Sequence, residues 1–414
     1  RRRYSYCYCQ SYSQRTVNTH LECRCSFLDG EINLKYQGDE QHFKEEMIPS
    51  EVTNFSGIDS LIHQQRSFAL YLLPGNNEPT LVLQEGGDMG QLKSYTELND
   101  KKGFVLAPFC LNESHPIVLI CADIVSVGWK SIAGITSFQS SACSANKETV
   151  FTLDKEDLYY AYNKSFNVFI KPLREGIFEK LVLSRKVNIK KTSEFSPAKA
   201  FYNACRRYKR AFVYLCHSPQ SGTWLGSTPE LLLSGQLGHW NTVALAGTQP
   251  LIGNNLPDSW NVENRKEQAL VADYIKSQLA SANIDVLEDG PFTVQAGDLA
   301  HLKTEFRFET ADRRCLGNLV ELLHPTPAIC GLPRKEALQF IKENEGYDRS
   351  YYSGFIGMVD ADGRNDIYVN LRCMNIGEND LTLFAGGGLL DSSDVDQEWE
   401  ETNDKLQTML AILK

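Results

Sequence analysis

Long apolar runs are missing. No stretch approaches the roughly 18 consecutive apolar residues of a membrane-spanning helix, so no membrane partner is expected. A basic surplus is missing too. Lys and Arg number 42 against 52 Asp and Glu, a net charge of −10. That balance argues against a nucleic-acid partner, because phosphate contacts rely on clustered Lys and Arg. The twelve cysteines lack the spacing of a disulfide framework. Cys110, Cys121, Cys143, Cys205, Cys216, Cys315, Cys330 and Cys373 are scattered, mostly within apolar segments, as reduced thiols of a cytoplasmic protein are. Cys7/Cys9 and Cys23/Cys25 form C-x-C pairs, whereas common zinc folds favour about two to four intervening residues. There is no short-period repeat and no low-complexity segment. An acidic chain that handles an anion therefore needs a metal or a local set of cations.

What is present is an ordinary globular composition, 42% apolar and 23% charged, in a chain long enough for one large domain or two to three smaller ones. Residues 1–46 read differently from the rest. They are rich in Arg, Tyr, Ser and Cys and almost free of aliphatic residues, like a transit peptide without its amphipathic apolar content. They are expected to be a poorly ordered extension without catalytic role, with Met47 as a natural start. Residues 47–150 read as β-rich. FALYLLPGNNEPTLVLQEG sets two apolar runs around a turn, a hairpin signature, and GFVLAPFC and PIVLICADIVSVGW continue as strands. The Gly128–Thr149 stretch reads as a loop, a candidate lid. From residue 151 to 414, a helix with Asp154 as N-cap and Gly176 as stop leads into strands interleaved with helices. Many strands are joined by tight turns, so a large antiparallel sheet in an α+β architecture is predicted.

Two acidic clusters stand about 130 residues apart in this segment. ENRKEQALVADYI carries Glu263 and Glu267 at i,i+4, and EWEETNDKL carries Glu398 and Glu401 at i,i+3. Each pair shares one helix face. Such faces converging from distant segments suit a hard cation such as Mg2+, which takes one or two carboxylates and keeps positions open for an anion. The alternative is two solvated faces laced with ion pairs, Glu401 with Lys405 for example.

An ordered set of motifs then decides between these readings. KLVLSRKV, STPELLL, ALAGTQP, the ENRKEQ helix, LAHLKTEF, HPTPAICGLPR, YYSGFIG, IYVNLRC, FAGGGLL and EWEETNDK occur in that order. The set resembles the chorismate-utilising enzymes, the anthranilate synthase component I-like family, and within it the isochorismate synthases. The resemblance runs from about Phe151 to the C-terminus. It implies a single catalytic domain of two large antiparallel sheets packed face to face with helices outside. It also implies a Mg2+-dependent isomerase (a hydroxymutase), with water adding at C2 of chorismate and the C4 hydroxyl leaving, as a step toward menaquinone or a siderophore.

By the same resemblance, Lys180 is the base that activates water and Glu230 the acid that protonates the departing hydroxyl. The base must be neutral and the acid protonated, which burial among apolar neighbours favours. Glu267 and Glu401 match the family's Mg2+ ligands, and Glu398 matches an outer carboxylate. The cation bridges them to the ring carboxylate of chorismate. Arg372 and Lys405 match the residues that hold the enolpyruvyl carboxylate, with Tyr352 assisting. Gly247 and Thr248, and the triplet Gly386, Gly387 and Gly388, let backbone amides approach the substrate. His301 matches a histidine near the ring carboxylate, and Ala328 and Ile329 line the water side.

Subfamily rests on few positions. Aminodeoxychorismate synthases carry a nucleophilic lysine where this chain has Ala246. Salicylate synthases, which go on to eliminate pyruvate, are the nearest alternative, ahead of an anthranilate synthase component or a non-catalytic chorismate-binding relative. GTQP in place of the usual GTRP, Glu263 in place of a lysine and Gln268 in place of a histidine depart from common family usage. No amidotransferase partner is expected, and the chain reads as a monomer or weak dimer.

Overall fold

Successive side chains of a strand point to opposite faces, and many of these strands are buried on both, so such strands are divided between two cores. The computed structural model describes residues 56–86, 90–136, 155–251, 255–296 and 299–413, all within a single unit. The extension 1–46, both C-x-C pairs, Met47, Cys143 and Asp154 lie outside the described residues. The early strands are β1 (Phe68–Leu72), β2 (Thr80–Leu83), β3 (Gly90–Leu92), β4 (Lys102–Ala107), β5 (Ile117–Cys121) and β6 (Ile124–Val127). Then come β7 (Lys180–Lys190), β8 (Phe212–Ser218), β9 (Gly222–Thr228), β10 (Leu231–Gln236), β11 (His239–Pro250), β12 (Val286–Ala296) and β13 (Leu299–Glu309). The last are β14 (Gly331–Leu332), β15 (Phe355–Asp360), β16 (Asn365–Val369), β17 (Cys373–Ile376) and β18 (Asp380–Leu389). The helices are α1 (Ser56–His63), α2 (Trp129–Thr136), α3 (Lys155–Arg174), α4 (Pro197–Arg207), α5 (Val262–Ser281), α6 (Leu316–Leu323), α7 (Arg334–Asn344) and α8 (Val395–Leu410).

The strands form two nine-stranded sheets, in the orders β14-β7-β18-β17-β9-β8-β1-β2-β6 and β12-β13-β11-β10-β16-β15-β4-β5-β3. Every pairing between described strands is antiparallel, including the expected β1–β2 hairpin, which sets Phe68 opposite Leu83. Alternation on β1 sends Ala69 and Tyr71 to the other sheet, where they meet Phe104 and Leu106 of β4. Phe68, Leu70 and Leu72 point away, into a core shared with α1, α2, α4 and α8. Val105 and Ala107 of β4 likewise face α3, α5, α6 and α7. Between the sheets the filling is aromatic, and Phe212 of β8 stacks on Tyr368 of β16 at 4.4 Å with the planes 5° apart. The two antiparallel sheets therefore lie face to face with helices outside, the α+β arrangement anticipated from the sequence.

One expectation fails. The start of the Gly128–Thr149 stretch is α2, not a loop. Glu78 accepts the Trp129 amide at 3.1 Å, placing a carboxylate at the helix N-terminus, and Trp129, Ile132 and Thr136 are buried along one face. The rest of the stretch lies outside the described residues. Gly176 does stop α3, at φ +71°, with its amide bonded to Leu173 O at 3.0 Å.

Candidate active site

Two long neighbouring strands, β7 and β18, form the floor. Their register sets Val182 opposite Gly388 and Ser184 opposite Gly386. Strand alternation then turns Gly386 and Gly388 toward the cavity and Gly387 away from it. A Cβ on Gly388 would stand 2.2 Å from Glu267 Oε1 and 2.7 Å from Lys180 Cε, and one on Gly387 would stand 2.9 Å from Glu398 Oε2. On Gly386 it would stand 2.9 Å from the Tyr352 hydroxyl. The triplet is extended strand, so glycine is required here for space, not for conformation. Carboxylates press on the backbone from both faces.

A bulge in β11 shapes the next wall. The β11–β13 register shifts between Ala246 and Thr248, and Gly247 takes φ +75° there, a left-handed conformation that favours glycine. The bulge aims the Gly247 amide at Glu267 Oε2 (3.0 Å) and the Thr248 amide at Asn264 Oδ1 (3.1 Å), both from the start of α5. These amides are therefore engaged by the protein. They position α5, while Gly247, Thr248, Gly386 and Gly388 all line the cleft. His301, paired opposite Thr248, contacts Gly247 O through Nδ1 at 3.1 Å while its buried Nε2 has no partner. That contact makes Nδ1 the protonated nitrogen and leaves Nε2 a lone pair. Burial, reinforced by the charges of Arg372 and Lys405, pushes the imidazole pKa down to about 3, so the ring is neutral.

Lys180 is fully buried, and its Nζ lies 2.8 Å from Glu267 Oε1 without being aligned as a hydrogen bond. Burial pushes the Glu267 carboxyl upward. The Lys180 ammonium, Lys405 and the Gly247 amide outweigh burial and hold it below the usual range. Glu230, between β9 and β10, is buried, and that burial raises its pKa to about 7 against the opposing pull of Lys180, Lys405 and Arg372. Arg372 is buried at φ +46°, its Nη1 donating to Thr408 at 3.4 Å. Ser353 beside it takes φ +61°, so two non-glycine residues lining one cavity hold a sparsely populated conformation, as strained functional sites do. Lys405 bridges Gly386 O (2.9 Å) and Glu401 Oε1 (2.5 Å).

The carboxylates of α8 and α5 meet at the Gly387–Gly388 step. Glu398 Oε1 accepts from Ser393, while Oε2 is buried without a partner. Burial and the neighbouring Glu401 charge push Glu398 up to about 8. Among the described residues no three His, Cys, Asp or Glu side chains are gathered closely enough to hold a metal as they stand. Glu267 and Glu401 are drawn instead to Lys180 and Lys405. The donors still suit Mg2+, being hard oxygens with one orphaned oxygen and a glycine cradle at their junction. Glu263 points to solvent.

The cleft has a cavity volume of about 60 Å³ and is lined by Glu230, Gly247, Thr248, Glu267, His301, Ala328, Ile329, Tyr352, Arg372, Gly386, Gly388 and Lys405. Lys180, Gly387, Glu398 and Glu401 stand behind that lining. The sequence pattern of a chorismate binding enzyme matches residues 99–414. The chain belongs to the chorismate binding enzymes. Isochorismate synthase EntC of Escherichia coli K12 is 31% identical over 244 residues, 56% of this chain and 62% of EntC, so the match spans under two thirds of that relative. The fold matches MenF, the menaquinone-specific isochorismate synthase of E. coli, with a TM-score of 0.68 at 21% identity, covering 88% of this chain and 92% of MenF. It also matches anthranilate synthase component I of Streptococcus pneumoniae TIGR4, with a TM-score of 0.63 at 13% identity, covering 83% and 92%.

This chorismate binding enzyme also uses residues that sequence reasoning passed over. Leu245, Ser353 and Phe384 line the cleft, and Phe384 stacks under Tyr352 at 5.0 Å. Glu345 and Arg349 form a fully enclosed ion pair, Nε to Oε2 at 2.6 Å. Arg349 also donates to the carbonyls of Val182 (2.9 Å) and Ile329 (2.8 Å), and Glu345 accepts the Ser184 amide at 2.7 Å. The pair thus ties the Lys180 strand to the loop that presents Ala328 and Ile329. An i,i+4 Glu–Arg spacing was its only signal, and that spacing is common on solvated helices.

Proposed function

We propose that this enzyme converts chorismate to isochorismate, a Mg2+-supported isomerisation that supplies a menaquinone or siderophore route. The observation that carries the reading is Glu230, a buried carboxyl lining the same cleft as Arg372 and Lys405, where burial raises its pKa to about 7. Such a group is a general acid at neutral pH. Chorismate brings two carboxylates and a leaving hydroxyl. Arg372 and Lys405 are the cations for the enolpyruvyl carboxylate, where the guanidinium can bind in bidentate fashion. Lys180 takes a proton from the water that adds at C2, and Glu230 gives one to the C4 hydroxyl as it leaves, so a water enters and a water departs. Glu267, Glu401 and Glu398 would hold Mg2+, which when bound offsets the charge of the ring carboxylate and withdraws electrons from the diene. Ala246, buried at the cleft wall, offers no amine to compete with water.

Free thiols at all seven cysteines of the described residues suit a reducing, cytoplasmic setting, and no described helix is long and apolar enough to cross a membrane. The direct test is incubation with chorismate and Mg2+ followed by chromatography of the products. Isochorismate alone is expected. Salicylate with pyruvate, or anthranilate in the presence of ammonia, would replace this reading. Glu401→Gln should raise the Mg2+ concentration for half-maximal rate on the order of 10–100-fold while α8 stays folded. An unchanged Mg2+ titration would remove Glu401 from the metal site.

A further inference from the structure

We propose that Lys180 and Lys405 are built-in counter-ions of the carboxylate set and compete with the divalent cation for Glu267 and Glu401. The inference rests on the reading of Glu267, Glu398 and Glu401 as the Mg2+ ligands. Both oxygens of Glu267 are already committed, Oε1 to the Lys180 ammonium at 2.8 Å and Oε2 to the Gly247 amide at 3.0 Å. Glu401 Oε1 is committed to Lys405 at 2.5 Å. Two carboxylates, Glu267 and Glu401, face two ammonium groups, a formal charge of −2 + 2 = 0, while the Oε2 of Glu398 beside them has no partner. This arrangement is nearly neutral, not a strongly anionic trap. It also accounts for the carboxylates being parted onto separate lysines.

A cation that takes Glu267 and Glu401 leaves two ammonium groups without their partners. Lys180 is fully buried and Lys405 nearly so, and an uncompensated enclosed charge is costly. The cation alone is therefore held weakly. The substrate dianion brings the charge that the released Lys405 lacks, so cation and dianion each strengthen the binding of the other. One exchange of partners would place Lys180 and Lys405 at the disposal of the substrate only when the metal is in place.

The test is direct binding of Mn2+, followed by electron paramagnetic resonance, to the full-length parent chain and to Lys180→Met, Lys405→Met and Glu401→Gln. Each lysine variant should bind Mn2+ about tenfold or more tightly than the parent, within the usual range of site-to-site coupling. Lys405→Met, at a position in contact with solvent, gives the same readout if Lys180→Met does not fold. Equal or weaker Mn2+ binding in folded lysine variants, with Glu401→Gln still impaired, overturns the competition and leaves the metal assignment standing. Mn2+ binding that Glu401→Gln does not alter, or no binding to the parent, overturns the metal assignment and the competition with it.

Discussion

Glu230→Gln should lower kcat for chorismate on the order of 10²–10⁴-fold, the range for loss of a positioned general acid, while chorismate still binds. The amide keeps the shape of the side chain but has no proton to give to the C4 hydroxyl. The pH dependence carries a sign that can be checked. Burial raises the carboxyl to about 7, so its acid form persists through the weakly acidic range and is lost as pH rises through that value. The parent should therefore show a rate that falls on the alkaline side of about 7, and Glu230→Gln should lack that limb. The limb belongs to an interacting set that includes Lys180, Lys405 and Arg372 as well as the substrate, so it is a property of the site. A variant with the parent's rate and the parent's alkaline limb would reduce Glu230 to a turn residue after Pro229.

The second large effect is on stability. Arg349→Met removes the guanidinium from a fully enclosed Glu345, and breaking a buried pair from one side costs about 3–5 kcal/mol. Urea unfolding should show the loss as a lower midpoint with an unchanged slope. Arg349→Met combined with Glu345→Leu should recover a substantial part of it, because the stranded carboxylate is gone. A single variant within 1 kcal/mol of the parent would mean that water reaches the site. The pair does more than stabilise, because it fixes the carbonyls of Val182 and Ile329.

The sequence showed those elements that local chemistry determines. KLVLSRKV reads as a strand because it is apolar and β-branched, and α4 begins at Ser196, whose side chain caps the Lys199 amide. Glu398 and Glu401 read as one helix face because they lie one turn apart. What the sequence withheld depends on the partner across space. Trp129–Thr136 carries Gly134 and few strong helix formers, and it is helical because Glu78 and the α1–α4 core hold it. The AGT and GGG segments looked like ligand-facing backbone. A further constraint, room for Asn264 beside Gly247 and for Glu267, Lys180 and Glu398 beside the triplet, is visible only once β7, β18, α5 and α8 are assembled. Likewise Glu401–Lys405 looked like either a surface ion pair or part of the site, and it is an ion pair within the site.

The position of β7 has a consequence for the chain during its synthesis. Its neighbours in the sheet are β14 on one edge and β18 on the other, and both are made later. The strand is buried on both faces from Lys180 to Arg185, so once it leaves the ribosome it has apolar surface and two open edges with no partner. From Lys180 to Lys405 is 405 − 180 = 225 residues. At about 5–20 residues per second that is a wait of roughly 10–45 s. The nascent polypeptide therefore carries this apolar strand uncovered for most of that interval, and a chaperone that shields residues 180–190 would act before the catalytic centre is complete.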